Sequence, residues 1–334
     1  MNIAISIGIT VVSLGLLITA ANLMLKSAIG ISQKLNISPL IVGSTIVAVG
    51  TGLPTIAVSV VIALTNPASI DVAIGNVLGT TIVNLGLALG IPAFITTIVT
   101  KYAVYEKELP LYLIMMGLLT AFALDRSISI AEGVGMLLTY VLASYIIYQY
   151  AKRERSNGGS YHSISHLSSG GGHDGITPNE ELSRNTLSFM FGFILLLAAS
   201  FALGSVSGAL SEGLGISEYV LGITVFGIGT SLPTIVASIQ AARKNYIDIV
   251  LGNVFGGNIV NIGLGIGLPA LMGGIHLNAA EMGDIQFTHI YNVVIILLVL
   301  VEMRLLGENK ALSRISGSII VLCYFGYLAE KLWG

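Results

Sequence analysis

The sequence predicts an all-α, polytopic membrane protein of about ten transmembrane helices, arranged as two inverted five-helix repeats. Three observations carry that prediction: an apolar, charge-poor composition, about ten hydrophobic stretches of membrane-crossing length, and a unit in the first half that recurs in the second. Of the 334 residues, 54% are hydrophobic and 10% are charged, against roughly a quarter charged in a soluble globular chain. Several stretches exceed the roughly 18 apolar residues that mark a spanning helix, so the chain's solvent and first partner is a lipid bilayer. An integral protein of the cell membrane is expected.

Hydropathy places the helices near 3–25, 39–65, 71–98, 108–124, 129–150, 186–212, 218–241, 248–274, 289–306 and 313–332. The stretch from Met1 to Leu25 lacks a basic start and a small-residue cleavage site, so it reads as a first spanning helix rather than a removed signal. Residues 1–150 form the first five-helix repeat, 151–185 a flexible cytoplasmic linker and 186–334 the second repeat. The segment Lys152 to Arg184 is rich in Gly and Ser and has no apolar period. Its His162, His166 and His173 read as solvated loop residues, with weak metal sensing the lesser alternative.

Charge and reactive residues exclude several functions. A net charge of -2 offers no basic field for nucleic acid, and the single Cys323 leaves no internal disulfide or thiolate metal site. No Ser/His, Cys/His, paired-Asp or HExxH arrangement lies inside the helices, so neither an enzyme nor a cofactor is expected. Numbering the loops alternately puts Lys26, Lys34, Lys101, Lys107, Lys152, Arg153, Arg155, Arg184, Arg243, Lys244, Arg304, Lys310 and Arg314 on one side. Only Arg126 and Lys331 fall on the other. By the positive-inside rule the rich side is cytoplasmic, which places both termini outside and the linker inside.

The repeat is visible directly. LNISPLIVGSTIVAVGTGLPTIAVS at Leu35 to Ser59 returns as LGISEYVLGITVFGIGTSLPTIVAS at Leu214 to Ser238, a constant numbering offset of 179. IGNVLGTTIVNLGLALGIPA at Ile74 to Ala93 returns as LGNVFGGNIVNIGLGIGLPA at Leu251 to Ala270, where the offset is 177. An odd number of helices per copy makes the second copy enter the membrane in the opposite sense.

Matched Gly/Pro interruptions in inverted repeats point to a binding site near the bilayer midplane. Here they are Gly50 to Thr55 and Gly229 to Thr234. Pro54 and Pro233 each remove a helical hydrogen bond, so carbonyls near Val47, Gly50, Phe226 and Gly229 become candidate cation ligands. Thr51, Thr55, Thr230, Ser231 and Thr234 of these motifs join Asn76, Thr80, Thr81 and Asn84 of the third helix and Asn253, Asn258 and Asn261 of the eighth. The stretch from Thr80 to Asn84 is about one helical turn, so these polar groups can converge. Small polar residues also serve plain helix packing, but recurrence of Thr and Asn at matched places in both copies favours a site. Of the acids near helix ends, Asp71 and Asp248 match across the repeats and read as helix-start charges; Glu132, Glu281, Asp284 and Glu302 read likewise as terminal groups.

At these residues the chain resembles the cation/calcium exchanger superfamily, whose two alpha-repeats carry G-T-S-L-P-E and G-N-x-x-G-S-x-x-x-N/D. The likeness covers essentially all ten helices, including the Asp125-Arg126-Ser127 turn. It implies a secondary antiporter working by alternating access, with helices two, three, seven and eight forming the site while helices one and six slide past. The chain departs from the pattern at its centre: Thr55 and Thr234 replace both glutamates, Asn84 and Asn261 fill the N/D positions, and Thr80 and Gly257 replace the serines. Calcium takes six to eight oxygens including carboxylates, so an uncharged site disfavours it. A monovalent ion carries a Born penalty roughly four times smaller, and neutral oxygens can hold it. Sodium is therefore the expected ion, and any proton role falls to peripheral residues because Thr and Asn do not titrate. A neutral or anionic solute on the same scaffold and a non-transporting membrane sensor are the alternatives.

Overall fold

The structure, a computed structural model, describes residues 2–34, 48–99, 103–156, 178–243, 247–305 and 311–333. Ten helical segments follow one another: α1 (Ile3–Lys34), α2 (Ala48–Thr65), α3 (Ile70–Val83, then a π turn Asn84–Leu89, then Gly90–Ile95), α4 (Ala103–Phe122), α5 (Ile130–Ser156), α6 (Pro178–Leu214), α7 (Glu218–Leu221, a π turn Gly222–Phe226, then Gly227–Arg243), α8 (Ile247–Leu271), α9 (Ala279–Leu305) and α10 (Arg314–Trp333). Among the described residues nine helices are long and apolar enough to cross a membrane, and Val49–Thr65 is a shorter apolar helix. The expected first part of the second helix, 39–47, lies outside the described residues.

Three helix ends differ from the hydropathy reading, each for a local reason. α9 starts at Ala279 rather than near 289, because Asp284, Gln286 and His289 lower the hydropathy of a stretch that is nonetheless helical. Asp284 and Glu281, expected at a helix end, thus lie in the first two turns. α5 runs on through Lys152 to Ser156, a run of good helix formers. α6 starts at Pro178, with Glu180 and Glu181 in its first turn, the residue types that favour a helix start. The linker's middle, with its three histidines, lies outside the described residues.

The core is made by α3, α7 and α8, with α2 packed against them. In the spanning stretches of α3, α7 and α8, 78, 67 and 83% of residues are buried, against 17 to 39% in α1, α4, α5, α6, α9 and α10. The outer helices turn residues such as Val11, Leu138, Phe191, Ile290 and Leu322 outward, a belt that suits lipid. α3 and α7 cross backbone to backbone: a Cβ on Gly79 would sit 2.3 Å from the Ile223 carbonyl oxygen, and one on Gly222 2.5 Å from that of Val72. Only glycine permits that approach, the small-residue logic of membrane helix pairs. α1 and α6 run antiparallel beside each other, with Gly192 against Met24 and Gly213 against Ile3.

Two short ribbons show the inversion. β1 (Ile98–Val99), after α3, pairs antiparallel with β4 (Ala311–Leu312), before α10. β3 (Ile275–His276), after α8, pairs antiparallel with β2 (Ser127–Ile128), before α5. The starts of β1 and β3, Ile98 and Ile275, are related by the same numbering offset as the second repeat block. Each copy thus lends the end of its third helix to a strand of the other copy, and the two joints are exchanged by the repeat operation. The Asp125-Arg126-Ser127 turn sits at one joint. Arg126 adopts a left-handed conformation (φ 63°), the Asp125 carboxylate accepts from the Ser127 amide at 3.0 Å, and the Arg126 carbonyl accepts from the Leu277 amide at 2.8 Å. Glu132 then closes a capping box with Ser129 at the start of α5.

Candidate ion-binding site

All eleven expected site residues, Thr51, Thr55, Asn76, Thr80, Asn84, Thr230, Ser231, Thr234, Asn253, Asn258 and Asn261, are buried, none more than 5% exposed. They meet where α2, α3, α7 and α8 cross, and their hydrogen bonds follow the repeat. Asn76 Nδ2 donates to the Thr55 carbonyl (3.1 Å) and to Ser59 Oγ (3.2 Å), while its Oδ1 accepts from Thr230 Oγ1 (2.9 Å). Asn253 Nδ2 donates to the Thr234 carbonyl (3.2 Å) and to Ser238 Oγ (3.1 Å), while its Oδ1 accepts from Thr51 Oγ1 (3.1 Å). Every partner in the second set is the repeat equivalent of its partner in the first. Ser59 and Ser238 were missed as site residues, although both close the repeated block and so carried a signal.

Hydroxyl arithmetic orients the first half. Thr230 has one proton, committed to Asn76 Oδ1 and to the Phe226 carbonyl at 2.8 Å. Its contact with Thr80 Oγ1 at 3.1 Å therefore has Thr80 as donor, and the 3.3 Å contact between Thr80 and Thr55 has Thr55 as donor. The result is a closed ring: Thr55 to Thr80 to Thr230 to Asn76, and from the Asn76 amide back to the Thr55 carbonyl.

Asn84 and Asn258 sit between the halves. Asn84 Nδ2 donates to Asn258 Oδ1 at 2.8 Å, and Asn258 Nδ2 donates to the Thr81 carbonyl at 3.2 Å. Asn84 Oδ1 and Asn261 Oδ1 are buried without a hydrogen-bond partner among the described residues. Asn261 Oδ1 lies against Gly52, where a Cβ would come within 2.6 Å of it. Buried polar atoms are nearly always satisfied, so two orphaned oxygens flanking one network mark a place built to receive a cation or a proton donor.

Some expected groups point elsewhere. Thr81 Oγ1 donates to the Val77 and Leu78 carbonyls of its own helix, and Ser231 Oγ to the Gly227 carbonyl at 2.7 Å. The Phe226 carbonyl is occupied by the Thr230 hydroxyl. Gly50 and Gly229 are buried, and Pro54 and Pro233 withhold the helical donor from their carbonyls. Val47 lies outside the described residues.

Among the described residues no group of three His, Cys, Asp or Glu side chains could hold a metal. One carboxylate near the site escaped the sequence reading. Glu108, buried in the second turn of α4, has its carboxylate against Gly252, the neighbour of Asn253. Hydropathy starts that helix at 108, whereas the structure starts it at Ala103.

Comparison with known proteins gives the family and the fold. A sequence profile of the sodium/calcium exchanger protein family matches residues 5–149 and 184–333. The chain is 29% identical to the sodium/calcium exchanger MaX1 of Methanosarcina acetivorans, covering 97% of this chain and 98% of that one. It is 28% identical to the inner membrane protein YrbG of Escherichia coli, covering 97% and 95%. In fold it is similar to the sodium-calcium exchanger NCX_Mj, with a TM-score of 0.60 at 23% identity over 98% of this chain and 99% of the other. With its two repeats, its helical membrane fold and a profile match over both halves, the chain belongs to the sodium/calcium exchanger family of integral membrane transporters.

Proposed function

We propose that this chain is a secondary antiporter that moves a monovalent cation, sodium, through an uncharged midplane site by alternating access. The observation that carries the reading is the pair of orphaned amide oxygens, Asn84 Oδ1 and Asn261 Oδ1, in a network of neutral oxygens. The amide donors of Asn76, Asn84, Asn253 and Asn258 are spent on protein acceptors, so the site offers lone pairs. That favours a cation over an anionic solute. With threonine rather than glutamate at positions 55 and 234, a single positive charge is favoured, since neither repeat motif supplies a carboxylate to offset a second. The linker and the basic loops face the cytoplasm in this reading, with both termini outside.

The test is uptake of sodium-22 and calcium-45 into proteoliposomes under opposing sodium, potassium and proton gradients. Gradient-driven sodium flux without calcium flux is the expected result. Calcium flux of comparable rate would overturn the choice of ion, and no flux of either would overturn antiport of cations.

A further inference from the structure

α4 reaches the polar network from the side, along α8. Glu108, Tyr112 and Met115 stand at i, i+4 and i+7, one face of a helix, and all three meet α8. The Glu108 carboxylate lies against Gly252, the Tyr112 ring packs on Phe255 with 6.2 Å between centroids, and Met115 lies on Gly263. Asn258 is one turn along α8 from Phe255, and its amide faces the Tyr112 hydroxyl as a donor. Tyr112 is 0% exposed.

The hydrogen bonds around Asn258 do not close. Asn258 Oδ1 accepts from Asn84 Nδ2, and Asn258 Nδ2 donates to the Thr81 carbonyl, so only its second amide proton is left to turn toward Tyr112. That proton can serve the phenol oxygen but not the phenol proton, and the Tyr112 hydroxyl makes no hydrogen bond of its own among the described residues. On the other flank of the same amide, Asn84 Oδ1 lacks a donor. A buried tyrosine hydroxyl nearly always has a partner. Here a proton without an acceptor and an oxygen without a donor both stand beside Asn258. A bare cation suits the oxygen and opposes the proton. A water molecule suits both and still has a lone pair for an ion.

We propose that Tyr112 is a further residue of the site, and that the cation of the reading above, on which this inference rests, is received with one water still attached. Tyr112 donates to that water, the water donates to Asn84 Oδ1, and its remaining lone pair faces the ion. α4 is thereby a fifth helix of the site, joining α2, α3, α7 and α8.

Two measurements test this. Hydroxyl-radical labelling of the purified full chain in detergent, read by mass spectrometry, looks for the water; sodium-22 uptake into proteoliposomes reads its role. Tyr112 is buried from bulk solvent, so its oxidation requires a water beside it. Labelling at position 112 should be clear in wild type and fall at least fivefold in Tyr112→Phe, which keeps the ring on Phe255 and removes the group that holds the water. The same variant should raise the sodium concentration for half-maximal uptake about fivefold, the worth of one net hydrogen bond. Its sodium-free melting temperature should stay that of wild type, a split that lost packing would not produce. A wild type unlabelled at Tyr112 would overturn the water. Labelling in wild type together with an unchanged half-saturation in folded Tyr112→Phe would overturn the part of Tyr112 in receiving the ion and leave the cation reading intact. A wild type that carries no sodium would overturn the cation reading, while the labelling still decides whether Tyr112 holds a water.

Discussion

Asn76→Ala and Asn253→Ala should destabilise the protein by nearly the same amount, although the two residues share neither a helix nor a hydrogen-bond partner. Each amide makes three buried hydrogen bonds: to a Thr carbonyl, to a Ser hydroxyl and from a Thr hydroxyl, at 2.9 to 3.2 Å in the first half and 3.1 to 3.2 Å in the second. Side-chain hydrogen bonds between membrane helices contribute about 0.6 kcal/mol on average and up to about 1.7. Three give about 2 kcal/mol, with a ceiling near 5, so the folded-to-unfolded ratio should shift by about thirtyfold. Denaturant titration of the purified chain in mixed micelles measures this for both variants. A cycle adds a sharper check: Thr51→Val should couple to Asn253→Ala by about 0.6 kcal/mol and be additive with Asn76→Ala. If one asparagine proves silent while the other costs the full amount, or if Thr51 couples to Asn76 instead, the matched network is wrong.

Restoring carboxylates with Thr55→Glu and Thr234→Glu together should raise calcium-45 uptake at least tenfold above wild type, because paired negative charge offsets the desolvation of a divalent ion; unchanged uptake would show that charge is not what the site lacks. Gly79→Ala drives a Cβ to 2.3 Å from the Ile223 carbonyl oxygen, so α3 and α7 must part and the change should cost about 1–3 kcal/mol, whereas Gly117→Ala, with nothing within 4 Å of its Cβ, should leave the melting temperature unchanged. Lys331, 5% exposed, pairs with Asp284 and lies over the Phe287 and Tyr327 rings. Asp284→Asn should therefore destabilise more than the double change Asp284→Leu with Lys331→Met, since the single change leaves a buried ammonium with only the half-exposed Glu330 carboxylate at 3.4 Å; thermal melts of the two variants in detergent rank them.

The helical class, the repeat and the gathering of the Thr and Asn residues in one buried network were legible because each leaves a one-dimensional trace: apolar length, self-similarity, and Thr or Asn recurring at fixed offsets. What escaped was set by partners far away in the chain. The start of α9 hid because Asp284 is an unfavourable membrane residue until Lys331, 47 positions later, neutralises it. Glu108 reads as a helix end until the chain upstream is seen to be helical. The ribbons could not be foreseen, since two-residue strands are too short to show an alternating pattern.

The same bonds bear on which helices can move. Thr80 to Thr230, Thr51 to Asn253 and Asn84 to Asn258 all join one repeat to the other, and the glycine crossing of α3 on α7 leaves no slack between their backbones. α2, α3, α7 and α8 are thereby tied into one body, for sliding any of them would break buried polar contacts that each lose a partner. α1 and α6 meet that body differently. The Glu218 carboxylate at the start of α7 lies beside Gly208 of α6, while Leu14 of α1 lies on Gly229 of α7 and Ile62 of α2 on Gly204 of α6 through aliphatic carbons. Such contacts can shift along an axis without stranding a polar group. For the alternating access proposed above, the asymmetry between a polar, interlocked core and a mostly aliphatic outer pair favours α1 and α6 as the moving elements.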